Sequence, residues 1–124
     1  MKSLGVKEFR EQVLNREIDL VDFTQKVLAE INSQNKKFNH YCLVSQEQAL
    51  DSAREIEKKV KSGFKGKLLG VPLSVKDSIC VKGVESRAGS KILSGFVPLE
   101  NATVVQKAVQ EGAIVVGNTS QDEF

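Results

Sequence analysis

The stretch that most constrains the fold is Ala113-Ile114-Val115-Val116, a wholly apolar, largely β-branched run directly after Gly112. A run this short with no polar alternation has the composition of a buried parallel strand, covered on both faces. Such a strand needs a parallel neighbour and a crossover. Leu69-Gly70-Val71-Pro72-Leu73-Ser74-Val75-Lys76-Asp77 reads as that neighbour, an apolar strand entered through proline. Between the two, helical spacing opens at Thr103-Val104-Val105-Gln106, a capping-box pattern, and stops at Gly112. Strand, helix and strand predict a right-handed βαβ unit. Residues 79–101 are long for a plain connection, so a partly structured, functional loop is expected there.

The chain before this unit has a different composition, and Ser62-Gly63-Phe64-Lys65-Gly66-Lys67 marks the break. Val6, Phe9 and Val13 predict a short amphipathic helix. Asp19-Leu20-Val21-Asp22 reads as an N-cap leading into a helix with Leu20, Phe23, Val27 and Ile31 on one face. Ser45-Gln46-Glu47-Gln48 is a capping box for a third helix, with Ala49, Ala53, Ile56 and Val60 inward and Gly63 as its stop. His40-Tyr41-Cys42-Leu43-Val44 is a candidate strand. The fold class is therefore α/β: N-terminal helices over residues 1–63, then strand–helix–strand over 67–124, in a mixed or parallel sheet. A length of 124 residues suits one domain on a prior of roughly 150 residues each. Yet Ser120-Gln121-Asp122-Glu123 is a capping box that announces a helix one residue before the chain ends. The expectation is an N-terminal portion of a larger domain, exposing apolar surface near Val71–Val75 and Ile114–Val116.

Several function classes drop out. Eighteen basic residues against 16 acidic ones give a net charge of +2, too balanced to imply direct nucleic-acid or membrane binding. No apolar run has the length of a membrane span, and the first residues resemble neither a secretory signal nor a transit peptide; a cytoplasmic protein is the default. Cys42 and Cys80 stand far apart, without zinc or disulfide spacing, and read as reduced, packed thiols. The single histidine, His40, reads as structural. Gly63, Gly66 and Gly70 form neither a Walker nor a dinucleotide loop.

Lys76 stands out. Strand alternation puts Leu73 and Val75 on one face, Ser74 and Lys76 on the other. In a central parallel strand Lys76 would project into protein at the carboxyl end, where open α/β sheets place their ligand sites. Burial lowers a lysine pKa, and a neutral amine is a usable general base. The residues alone favour the plainer reading, a lysine at a strand end whose ammonium reaches water or pairs with Asp77 or another acid.

Leu69-Gly70-Val71-Pro72-Leu73-Ser74-Val75-Lys76-Asp77, followed by Gly83, resembles the G-[IV]-P-x-x-[VI]-K-D run of the amidase signature family. The likeness continues through Ala102-Thr103-Val104-Val105, Glu111-Gly112-Ala113 and Gly117-Asn118-Thr119-Ser120-Gln121-Asp122-Glu123-Phe124. Asp122-Glu123-Phe124 is most similar to the branch formed by the A subunits of aspartyl/glutamyl-tRNA amidotransferases. The resemblance implies a Ser–cis-Ser–Lys mechanism in which Lys76 is the relay base, with Asp77 in a supporting role that orients the loop. The bridging serine and the nucleophile belong to a region C-terminal to this chain. None of Ser74, Ser78, Ser86, Ser90, Ser94 or Ser120 lies in that motif, so the chain alone is expected to be inactive. Asn118 stands where the family has lysine, and Ser78 where it has asparagine. The resemblance further implies glutamine as ammonia donor, partner subunits B and C or an archaeal equivalent, tRNA held mainly by the partner, and no cofactor in this chain, ATP and Mg being used by the complex. A free-standing small-amide amidase and a short partner-binding module without catalysis are the alternatives.

Overall fold

The computed structural model describes residues 4–124. Three helices come first: α1 (Val6–Leu14), α2 (Leu20–Phe38) and, after strand β1 (Tyr41–Val44), α3 (Gln46–Lys61). β2 (Pro72–Lys76), a short 3-10 turn at Lys91–Leu93, α4 (Thr103–Gln110) and β3 (Ile114–Thr119) complete the chain. The sheet order is β1-β3-β2, with β2 parallel and β1 antiparallel to β3. The expected strand–helix–strand unit is therefore present, and β1 from the helical half joins its sheet.

The helices form where apolar spacing and caps agree. Asp19 caps α2, accepting from the Asp22 amide at 2.8 Å, and Asn39 closes the helix in the left-handed conformation at φ 52°. The buried line of α2 is Leu20, Thr24 and Leu28, rotated from the expected face; Phe23, Val27 and Ile31 flank it, half-buried. Thr24 is tolerated inside because its hydroxyl donates to the Leu20 carbonyl at 2.7 Å. Ala49, Ala53 and Ile56 of α3 and Phe9 and Val13 of α1 meet this line over Ile114 and Val116. The alanines let α2 and α3 lie close to the sheet.

Other expected caps are not made. Ser45 precedes α3, but its hydroxyl makes no cap bond and is buried without a partner; Gln48 donates instead to the Lys82 carbonyl at 3.3 Å. Thr103 is the first residue of α4, after Ala102 as cap. Residues 120–124 form no helix. Ser120 donates to the Asn39 carbonyl at 3.0 Å and Glu123 accepts from Ser90 at 2.6 Å, so the segment is tied by side-chain bonds to residues remote in sequence. His40 lies outside β1, stacked on Phe38.

The second sheet face carries its own core, Val75, Val81, Val84, Val105 and Val115. Val105 comes from α4, whereas Val81 and Val84 come from the segment 79–101, which folds as an ordered cover. Val75, Ile114 and Val116 are buried, contrary to the expected exposed strand surface. Exposed apolar residues lie elsewhere, among them Ile92, Phe96, Val97, Leu99, Val104 and Phe124.

Candidate functional site

β3, not β2, is the central strand. Of the three described strands β2 is an outer one, and among the described residues Lys76 is exposed rather than projecting into protein. The alternation itself holds. Leu73 and Val75 pack on the loop-covered face, while Ser74 and Lys76 share the other face, past the helices. Among the described residues no acid forms an ion pair with Lys76.

The register explains this arrangement. Leu73 pairs with Val115 but Ser74 with Gly117, so Val116 is the extra residue of a β-bulge. Beyond it, Gly117 lies opposite Ser74 and Thr119 opposite Lys76. A side chain on Gly117 would run into the Leu43 carbonyl and lie 3.1 Å from Tyr41 Cδ1. Because position 117 is bare, the Tyr41 ring lies across the central strand and its hydroxyl bonds the Ser74 hydroxyl.

Asp77, the next residue, turns to the opposite face and is only 3% exposed. Its amide donates to the Thr119 carbonyl at 3.1 Å. Its carboxylate accepts from the Arg87 amide at 3.3 Å, the Gly89 amide at 3.4 Å and Asn118 Nδ2 at 3.3 Å. Its carbonyl accepts from Ser86 Oγ at 2.7 Å and the Ala88 amide at 3.3 Å. One residue therefore gathers the whole 86–89 turn at the carboxyl end of β2. Ala88 and Gly89 both have positive φ, 50° and 73°, and Gly89 has the carbonyls of Gln121 and Asp122 against it, where a Cβ would meet them at 2.8 and 2.7 Å.

A cavity of about 320 Å³ opens beside this turn, lined by Tyr41, Cys42, Asp77, Arg87, Ser90 and Gln121 among others. Cys42 is exposed rather than packed, and its thiol donates to the Asn118 carbonyl at 3.3 Å. Desolvation, then the charge of Asp77, raises the Cys42 pKa above the ordinary thiol value. Cys80 is also free.

Among the described residues no serine hydrogen-bonds to Lys76. Ser74 is engaged with Tyr41, Ser86 with Asp77, Ser90 with Glu123 and Ser120 with Asn39, while Ser78 and Ser94 are exposed. Sequence reasoning missed Tyr41, Ser86 and Arg87 as parts of this region. Gly117 was the available signal for Tyr41, since a glycine inside a strand marks a close approach. Among the described residues no three His, Cys, Asp or Glu side chains gather as a metal site requires.

This strand end, with Lys76 outward and Asp77 folded under it, lies inside the span of a known family. The Amidase family profile matches residues 22–124, and the chain belongs to this family. It is 38% identical over 121 residues to the A subunit of the glutamyl-tRNA(Gln) amidotransferase of Trichodesmium erythraeum, covering 97% of this chain and 25% of that one. It is likewise 38% identical over 124 residues to the corresponding subunit of Desulfatibacillum aliphaticivorans, covering 100% of this chain and 26% of that one. The peptide amidase of Stenotrophomonas maltophilia superimposes with a TM-score of 0.90 at 28% identity, over 98% of this chain and 25% of that one. The chain thus spans about a quarter of the length of these relatives. None of its helices, among the described residues, is long and apolar enough to cross a membrane.

Proposed function

We propose that this chain is the amino-terminal part of the glutamine-hydrolysing A subunit of a cytoplasmic tRNA-dependent amidotransferase, one unit of a single amidase domain, and that Lys76 is its relay base. The observation that carries this reading is the placement of Lys76: at the carboxyl end of a parallel strand, on the open face, with Asp77 locked on the other. In this reading the Lys76 amine accepts a proton from a bridging serine, which in turn takes one from the nucleophile. The nucleophile attacks the glutamine carboxamide, ammonia leaves, and water releases glutamate. Both serines and the oxyanion donors come from sequence beyond this chain. Lys76 moves the proton, and Asp77, through Ser86, Arg87 and Gly89, holds the adjoining turn.

Ammonia then passes to partner subunits B and C, or an archaeal equivalent, which use ATP and Mg to activate Glu-tRNA(Gln) or Asp-tRNA(Asn). The interspersed charges suit a subunit that leaves tRNA to its partner. The test is a chimera in which these residues replace the matching quarter of the Trichodesmium protein. Glutamine-dependent ammonia release that rises when the partners are added supports the amidotransferase reading. Rapid turnover of simple amides without partners assigns the chain to a free-standing amidase instead.

A further inference from the structure

Asn118 is wholly buried in β3, opposite Val75. Its Nδ2 donates to Asp77 Oδ1 at 3.3 Å and to the Glu85 carbonyl at 3.2 Å, while its Oδ1 has no hydrogen-bond partner. Both neighbours of the nitrogen offer only acceptors. The amide orientation is therefore fixed, because the flipped form would set oxygen against a carboxylate and a carbonyl. The unpartnered oxygen follows from that orientation. A buried acceptor without a donor opposes folding, so packing alone gives no reason for a carboxamide at this place.

What the carboxamide does accomplish is geometric. It gives the Asp77 carboxylate a side-chain donor, and the same nitrogen ties the Glu85 carbonyl to the strand end. The Arg87 and Gly89 amides also donate to that carboxylate, all at 3.3–3.4 Å. With the Asp77 amide held by Thr119, both backbone and side chain of Asp77 are fixed. Lys76 and Asp77 share a peptide plane, so fixing one on the loop face fixes the direction of the other on the open face. We infer that Asn118 is a positioning residue for Lys76, acting through Asp77 and the 85–89 turn. The inference rests on the reading of Lys76 as the relay base, but its test contains no turnover measurement and so stands or fails separately from that reading.

The decisive variant in the 124-residue chain is Asn118→Asp, which keeps the shape and replaces the donor nitrogen by a titrating oxygen. The charged groups around it are Asp77, Glu85 and Arg87 of the loop side, with the Cys42 thiol on β1. Two facing carboxyls can share one proton and keep the hydrogen bond at a lower pH, about 4, whereas at a higher pH, about 8, two carboxylates repel. Amide exchange by NMR is expected to show Arg87 and Gly89 protection near wild type at the lower pH and about tenfold weaker at the higher. The Lys76 Cα and Cβ resonances are expected to move in the same step, with the Val75 and Ile114 amides unchanged. Asn118→Ala, lacking any donor, is expected to show the weakened protection at both pH values. Wild-type protection of Arg87 and Gly89 in Asn118→Asp at the higher pH would overturn the inference. So would a loss that spreads equally to Val75 and Ile114, or a Lys76 signal that stays fixed while the turn opens.

Discussion

The two faces of the sheet are covered by different means. On one, α1, α2 and α3 bury Ile114 and Val116 under Phe9, Leu20, Leu28 and the small alanines of α3. On the other, only Val105 comes from a helix; the rest of the cover is an irregular segment whose Val81 and Val84 are held down by the polar hub at Asp77. The helical face is apolar and periodic, and its stability is distributed over many contacts. The loop face concentrates its organisation in a few hydrogen bonds next to Lys76. Substitutions on the first face should therefore act on the whole fold, and those on the second should act locally.

The largest stability effect is expected from Leu28→Ala. Leu28 is 3% exposed, and removing its side chain should cost about 2–5 kcal/mol by urea unfolding, lowering protection on both faces alike. A loss confined to α2 would break the distinction. Gly117→Ala comes next, at about 1–3 kcal/mol, since overpacking is opposed by backbone rather than by a flexible side chain. The clash with Leu43 and Tyr41 should free β1 from β3, seen as loss of the Tyr41–Ser74 contact by NMR. Ser86→Ala removes one of the two donors to the Asp77 carbonyl. The remaining Ala88 amide keeps that acceptor partnered, so about 0.5–1.5 kcal/mol is expected, read as faster exchange at Ser86–Gly89 with the helical core unmoved.

The smallest effect concerns Cys42. Burial and the Asp77 charge hold its pKa up, so the folded chain keeps this proton to a higher pH than the unfolded chain does. The contribution to stability is complete below the unfolded thiol's pKa and is lost as pH rises through the folded value. Alkylation of Cys42 by iodoacetamide near neutral pH should be slower than that of a free thiol. Asp77→Asn should speed it. An unchanged rate would remove Asp77 from the surroundings that govern this thiol.

The same contrast decides what was legible in the sequence. Helical spacing and the Asp19 cap marked α1, α2 and α3, because a repeating apolar face is a local signal. The face of α2 was misplaced, since Thr24 looks polar until its hydroxyl finds the Leu20 carbonyl. Four capping patterns were readable and only Asp19 makes its bond. The tail, at Ser120 and Glu123, answers instead to Asn39 and Ser90, residues remote in sequence. β3 runs on through Gly117, Asn118 and Thr119, which carry no strand composition and are held by partners on β1 and β2. Lys76 and Asp77 were visible as a motif, and the alternation of β2 was right. That β2 is an outer strand of the three described, and that Asp77 gathers the 86–89 turn, depend on distant pairing that no local pattern records.

The role proposed for Lys76 at this strand end is that of a proton-transferring amine. The direct measurement is ammonia release from glutamine by the chimeric protein, assembled with its partners, with and without Lys76→Ala. Loss of general-base transfer should lower kcat by about 10²–10⁴-fold, with Asp77-dependent exchange at Arg87 and Gly89 unchanged. Turnover by the alanine variant within about twofold of the unsubstituted chimera, less than about half a kcal/mol of barrier, would contradict it.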